Sequence, residues 1–287
     1  MPDTLEELID LLDLETIEVD LYRGRQPDTR LQRVFGGQVA AQAQVAGTRT
    51  VDPDRSIHSL HAYFILPGDT ALPIVYDVER VRDGRSFSTR RIVARQHGRS
   101  IFYMSASFHV TEPGLEHQDV MPHAPPPEDC PRMADLFAKQ FGRSPEDWRH
   151  EWAALDVRYA GDSRPGGELH DATHPARASI WLKAAGRLPD DHVLNAAVFT
   201  YASDLTLLSS TLVPHGTHIG APGLMTASLD HAMWFHRRFR ADEWMLYDQT
   251  SPSAAGGLGF AVGRVFSREG RLVASVAQEG LIRQSRP

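Results

Sequence analysis

Residues 97–110, HGRSIFYMSASFHV, and residues 269–282, EGRLVASVAQEGLI, line up at an offset of 172. The likeness extends upstream: SLHAYF at 59–64 resembles SLDHAMWF at 228–235, and IVYDVER at 74–80 resembles MLYDQTS at 245–251. An internal repeat of this size constrains the fold strongly, because both copies must form the same unit and pack together. In each copy a helical stretch comes first. VFGGQVAAQAQVAGT (34–48) is rich in small residues and begins at Gly36 and Gly37. LPDDHVLNAAVFTYASDLTLLSSTL (188–212) is apolar, with Pro189 and Asp190 or Asp191 as its start signal. Four segments of strand composition follow each helix: SIHSLHAYFIL, PIVYDVERVR, SFSTRRIVARQH and RSIFYMSASFHV, then LMTASLDHAMWFHR, WMLYDQTSPSA, LGFAVGRVFS and RLVASVAQEGLIR. Asp83-Gly84 and His97-Gly98 supply hairpin turns. The expected fold is α+β: two tandem repeats of an antiparallel sheet wrapped around a central helix.

Outside the repeats, Leu5 to Leu14 reads as a short helix, Thr16 to Tyr22 as a strand, and ASIWLKAAG (178–186) as a further strand. HAPPPEDCP at 123–131 and the weak alternation around it mark a linker crossing the surface, with a short helix at Met133 to Phe141. The organisation is therefore a first repeat over 1–112, a Pro-rich linker over 113–175 and a second repeat over 176–287.

The net charge of −7 argues against nucleic acid as a partner, which needs a basic footprint. No stretch of 18 uncharged apolar residues is present, so no membrane span is expected. A single cysteine, Cys130, excludes an intrachain disulfide. The acidic, amphipathic N-terminus is unlike a signal peptide, and the terminal QSRP differs from a Ser-Lys-Leu address; a cytoplasmic protein is expected.

One residue conflicts with its surroundings. FTYASDLTLL (199–208) is an apolar segment that carries Asp204. Burying an ionised carboxylate is costly unless it is paired or hydrogen-bonded. The first copy avoids the problem, since Phe35 to Thr48 contains no carboxylate, and the position matching Gln278 at the same offset of 172 is Ala106. One copy has kept chemistry and the other scaffolding.

VFGGQVAAQA, HSLHAYFILPGD, VERVRDGRSFSTRRIVARQHGRSIFYMSASF, YASDLTLL, SLDHAMWFH and VASVAQEG, in this order, closely resemble the acyl-CoA thioesterase II family of double-hotdog thioesterases, over about Leu5 to Gln284. The resemblance implies a double hotdog, with a non-catalytic first repeat and the catalytic residues in the second. It also implies hydrolysis of fatty acyl-CoA to free acid and coenzyme A, without a metal or cofactor. Its catalytic trio falls on Asp204, Ser228 and Gln278, serine being one of the family's accepted alternatives at its position. It further implies assembly as a homo-dimer or homo-tetramer.

The chemistry fits these residue types. Thioester hydrolysis needs an activated water and donors for the developing oxyanion. Asp204 can take a proton from water, while Ser228 and Gln278 orient it. The helix start after Gly36-Gly37 is a candidate source of oxyanion donors. Strand alternation sends Gln278 and Glu279 to opposite faces, and Asp230 and His231 likewise, which argues against an Asp–His dyad. His58, His61, His231 and His236 are acid–base candidates that read more readily as structural. Arg85, Arg90 and Arg91 are either contacts for coenzyme A phosphates or solvated strand positions. G-x-S-x-G, H-E-x-x-H and paired cysteines are all absent, and AGGLGFAVG (255–263) is a turn entering a strand, not a phosphate loop. Two alternatives stand beside hydrolysis: a hotdog enoyl- or hydroxyacyl-CoA hydratase, which needs a histidine near the aspartate, and a non-catalytic acyl-CoA-binding protein.

Overall fold

The structure, a computed structural model, describes residues 1–284 apart from 143, 168 and 170–175. Helix α1 spans Leu5–Leu12, and the Thr4 hydroxyl caps it by accepting from the Glu7 N–H (3.1 Å). The alternation over Thr16 to Tyr22 proves to be a hairpin, β1 (Glu15–Glu18) and β2 (Leu21–Gly24), and not one strand. Asp20, at φ 59°, turns the chain there, a conformation that Asp tolerates better than most side chains.

Helix α2 (Gly36–Thr48) is buried from Gly37 to Gly47. A helix with apolar or small residues on every face has to be enclosed. Gln42, buried within it, donates to the Leu11 carbonyl (2.7 Å) and accepts from the Tyr76 hydroxyl (2.7 Å). Strands β3 (Arg55–Phe64), β4 (Ile74–Asp83), β5 (Phe87–Gln96) and β6 (Arg99–Val110) follow. His97 and Gly98, both at positive φ, form the tight β5–β6 turn.

The stretch read as linker holds α3 (Met133–Phe141) and α4 (Pro145–Trp152), and also a strand, β7 (Leu155–Asp162), that pairs with β8 (Arg177–Ala184). Sheet structure of the second half thus begins well before residue 176. LDVRYAGD hides this because a register shift between Tyr159 and Gly161 breaks its alternation. The last part of the linker, 170–175, lies outside the described residues.

Helix α5 (His192–Ser203) starts at Asp191, whose carboxylate accepts from the N–H groups of Val193 (2.8 Å) and Leu194. It stops at Ser203, nine residues short of the expected end at Leu212, with Asp204 at its C-cap and a 3₁₀ segment over Leu207–His215 beyond. The run from His192 to His215 is apolar and long enough to cross a bilayer, but 78% of its most apolar window is buried inside the protein. It is a core element.

The remaining strands are β9 (Leu224–Ser228), β10 (Asp230–Phe235), β11 (Met245–Ala255), β12 (Leu258–Ser267) and β13 (Leu272–Gln284). Gly256 and Gly257, both at positive φ, turn β11 into β12, so AGGLGFAVG is the expected turn. The sheet order is β1-β2-β4-β5-β6-β3-β10-β13-β12-β11-β8-β7, with β9 beside β13. Outward from the β3–β10 junction, the halves match strand for strand, which makes the fold a double hotdog. The junction is a true antiparallel pairing, from Asp230 opposite Tyr63 to Trp234 opposite Ser59. The two central helices run antiparallel against each other, and the Thr200 hydroxyl hydrogen-bonds the Gln44 amide oxygen across their contact (2.5 Å).

Arg90, one of the arginines considered for phosphate contact, is 1% exposed. Its guanidinium donates to the Thr50 hydroxyl (2.6 Å), the Thr50 carbonyl (2.8 Å) and Asp83 (2.8 Å). It ties the end of α2 to the β4–β5 hairpin and offers nothing to a ligand. Arg91 lies 3.7 Å from Glu79 on an exposed strand face. Arg90→Met is expected to lower stability by about 3 kcal/mol in denaturant unfolding, because it strands buried acceptors.

Candidate functional site

Asp204, Ser228 and Gln278 come from three different elements and meet. The Ser228 hydroxyl donates to Asp204 Oδ1 over 3.0 Å, and the Gln278 Nε2 donates to the same oxygen over 2.5 Å. A third donor comes from the other repeat, the backbone N–H of Gly37 at the start of α2. Asp204 Oδ2 lies against Gly36, where an added Cβ would stand 2.5 Å from it. The acid of the second repeat is therefore seated on the helix N-terminus of the first, whose partial positive charge favours an anion.

This placement explains why the carboxylate is tolerated. Asp204 keeps some contact with solvent but is otherwise surrounded by protein, and burial pushes its pKa up to about 6. The hydrogen bonds from Gln278, Ser228 and Gly37 pull the other way and limit the rise. The result is a carboxylate that is ionised at neutral pH and basic enough to accept a proton. Gln278 is 0% exposed, and its Oε1 is buried without a hydrogen-bond partner among the described residues. That oxygen is an available acceptor beside the acid. Glu279 faces the other way, as alternation requires, and its N–H binds Asp230 (2.6 Å).

The helix start at Gly36-Gly37 lies directly against the acid. The Gly37 N–H faces the Asp204 carboxylate and favours its ionised form. A Gly-Gly pair opening a helix signals close approach, but not by which group.

The opposite end of the helix pair shows what the first repeat has lost. The C-cap of α2 is Arg49, where α5 has Asp204, and Arg49 turns away to Asp13 (2.5 Å). Ala106 stands for Gln278. Ser228 pairs with Gly280, whose counterpart at the same offset, Phe108, pairs with Ile57. Acid, hydroxyl and amide are replaced by Arg49, Ile57 and Ala106.

None of the four histidines is a hydrogen-bond partner of Asp204. His58 Nε2 meets the Ser107 hydroxyl (2.8 Å), His236 Nε2 meets the Ser275 hydroxyl (2.9 Å), and His61 packs edge-on against Trp234. His231 is fully buried and reaches the Ser203 hydroxyl (2.8 Å), next to the acid but not on it. Among the described residues no group of three His, Cys, Asp or Glu side chains is arranged to hold a metal ion. Clefts of about 750 and 950 Å³, lined by Trp148 and Lys183 and by His215 and Arg283 respectively, do not include Asp204. The candidate site is singled out by its chemistry and not by cavity size.

The acyl-CoA thioesterase family model matches residues 153–281, and the model of the acyl-CoA thioesterase N-terminal domain matches residues 25–109. The chain is 39% identical to acyl-CoA thioesterase 2 of Haemophilus influenzae, over 99% of this chain and 100% of that one. It is 40% identical to acyl-coenzyme A thioesterase 8 of Mus musculus, over 95% of this chain and 88% of the mouse protein. The crystal structure of an acyl-CoA thioesterase II from Mycobacterium marinum superimposes with a TM-score of 0.81 at 46% identity, covering 96% of this chain and 97% of that one.

Proposed function

The chain belongs to the acyl-CoA thioesterase II family and is a thioester hydrolase; from that premise we propose that Asp204, Ser228 and Gln278 position and deprotonate the water that attacks a fatty acyl-CoA. The observation that carries this reading is a carboxylate with a pKa of about 6, held by a hydroxyl, an amide and a helix N-terminus. Water gives one proton to Asp204 and its oxygen bonds to the thioester carbon. Gln278 Oε1 accepts the water's second O–H and so fixes its direction. The C–S bond then breaks, and the proton held by Asp204 passes to the departing thiolate, giving free acid and coenzyme A. No covalent intermediate is needed, because a thiolate leaves readily. With the Gly37 N–H committed to Asp204, the Gly36 N–H is the proposed donor to the carbonyl oxygen.

The first repeat in this reading lacks the trio yet supplies the helix start on which the acid rests. The site is thus shared between the repeats. The hydratase alternative loses ground because no histidine hydrogen-bonds to Asp204. A cytoplasmic location agrees with the single, buried Cys130. We read the sheet face with exposed Tyr63, Tyr103 and Trp234 as the surface through which a homo-dimer or homo-tetramer forms. Sedimentation of a monomer alone at micromolar concentration would count against that assembly.

The test is thiol release from acyl-CoAs of graded length. Gln278→Ala is expected to lower kcat by about 10²-fold, the usual scale for losing one oriented polar group in a site. Ser228→Ala should cost about tenfold, and Ser228→Thr should keep activity near the starting level, since the hydroxyl is retained. Wild-type protein that releases no thiol from any chain length would remove the proposed substrate class. Full activity in Gln278→Ala would remove the proposed role of the amide.

A further inference from the structure

We propose that His231 is a positioning residue for the reaction: by donating to the Ser203 hydroxyl it locks the end of helix α5 to strand β10 and so sets the distance between Asp204 and Ser228. The inference rests on the reading of Asp204 as the base.

Asp204 hangs from the last residue of α5, Ser203, and Ser228 lies three residues before His231 on the adjoining strand segment. The Ser228–Asp204 bond joins these two elements at the site. The His231–Ser203 bond (2.8 Å) joins the same helix end to β10, the strand that follows β9 after Leu229, in the fully buried layer below. Two attachments, one on each side of the Leu229 break, fix the rotation of the helix end against this stretch of chain, which a single bond leaves free. Ser203 is anchored from another side as well, since its carbonyl accepts from the buried Tyr247 hydroxyl (3.2 Å).

The proton positions are set by the partners. The Ser203 hydroxyl donates to the Thr200 carbonyl (2.9 Å), so its oxygen accepts the Nε2–H of His231. His231 is neutral in this arrangement, and burial pushes its pKa down to about 4. Its Nδ1 is buried without a hydrogen-bond partner among the described residues. Such a half-satisfied polar group costs stability that an apolar side chain of similar size would not. Packing therefore does not account for an imidazole here, whereas a required donor to Ser203 does.

His231→Leu removes the donor and keeps the volume. It is expected to lower kcat about tenfold to a hundredfold, as small misplacements of reacting groups do, with KM changed less than about twofold. Its melting temperature should not fall. His231→Gln places an amide N–H near the same point and should restore kcat to within about threefold. Ser203→Ala breaks the same tie from the helix side, so it should lower kcat similarly, and the double variant should be no worse than either single one. In an Asp204→Asn background, His231→Leu should cost nothing further. If Asp204→Asn itself keeps full turnover, the base assignment fails, not the tie between His231 and Ser203. The positioning role is overturned if folded His231→Leu keeps wild-type kcat, if the Gln variant is no better than Leu, or if the losses from Ser203→Ala and His231→Leu multiply.

Discussion

Asp204→Asn should lower thiol release by about 10²- to 10⁴-fold, the range expected when a positioned general base is removed. Asparagine has nearly the same shape and still accepts from Ser228 and Gln278, so the loss would report the proton-accepting role and not collapse of the site. The pH profile gives a second reading. Because burial raises the Asp204 pKa to about 6, the acid is protonated below that pH and cannot act as a base. Wild-type kcat/KM should rise about tenfold per pH unit below 6 and level off above it, and the residual activity of Asp204→Asn should lack this limb.

The same shift has a stability consequence of opposite sign. A carboxyl whose pKa is raised on folding, from 3.8 to about 6, contributes stability present below pH 4 and lost as pH rises through 6. At neutral pH the ionised group costs roughly 1–3 kcal/mol, the upper figure being two pKa units at 1.36 kcal/mol each. Asp204→Asn should therefore be the more stable protein at pH 7, with the difference closing near pH 4. Denaturant unfolding across that range checks it. Inactivation together with stabilisation would place Asp204 among residues kept for function at the expense of the fold.

The two glycines that open α2 should separate packing from chemistry. Neither has positive φ, so backbone strain is not the issue, and alanine is the better helix former by about 1 kcal/mol. The clash decides the sign. A Cβ on Gly37 would stand 2.2 Å from the Tyr201 carbonyl oxygen, which is helix backbone and cannot yield without separating the two central helices. Gly37→Ala is expected to cost about 3 kcal/mol or more and to leave little folded protein. A Cβ on Gly36 would stand 2.5 Å from Asp204 Oδ2, a side-chain atom that can swing away, and 2.9 Å from the Phe64 ring. Gly36→Ala should fold and lose about 10²-fold in kcat by displacing the acid. Circular dichroism melting beside the thiol assay distinguishes the two. Equal stability losses in both variants would refute the division.

Periodicity made several elements legible from sequence. Helix α2, strand β12 and helix α3 fall where the residue pattern put them, because each is bounded by a local signal: Gly-Gly, a turn, or Gly142 in the left-handed region after α3. Local signals failed where the chain changes direction inside apolar sequence. Nothing in ASDLTLLSS separates the α-helix from the 3₁₀ segment beyond it, and α5 ends there because Asp204 is held by groups remote in sequence. LMTASLDHAMWF splits at Leu229 for a similar reason. The Leu229 N–H goes to Glu279 and its carbonyl accepts from Phe64, contacts that belong to two different strands. Arg90 could not be told from Arg91 by sequence, since only the packing of the α2 end over the hairpin buries one and leaves the other in solvent.

Residue order and identity were enough for the architecture and the asymmetry. Duplication with matched order requires two equivalent units, and Asp204 and Gln278, present in one copy and missing from the other, mark the copy to which the proposed chemistry is assigned. Those are properties of residue identity and spacing, which need no coordinates. Three features came from packing alone: the acid sits on the first repeat's helix start, Gly37 supplies a third donor, and His231 backs the site through Ser203. These depend on distances between residues 28 to 168 positions apart. Such distances are fixed by the antiparallel packing of two helices and the pairing of β3 with β10, neither of which leaves a periodic trace in the chain.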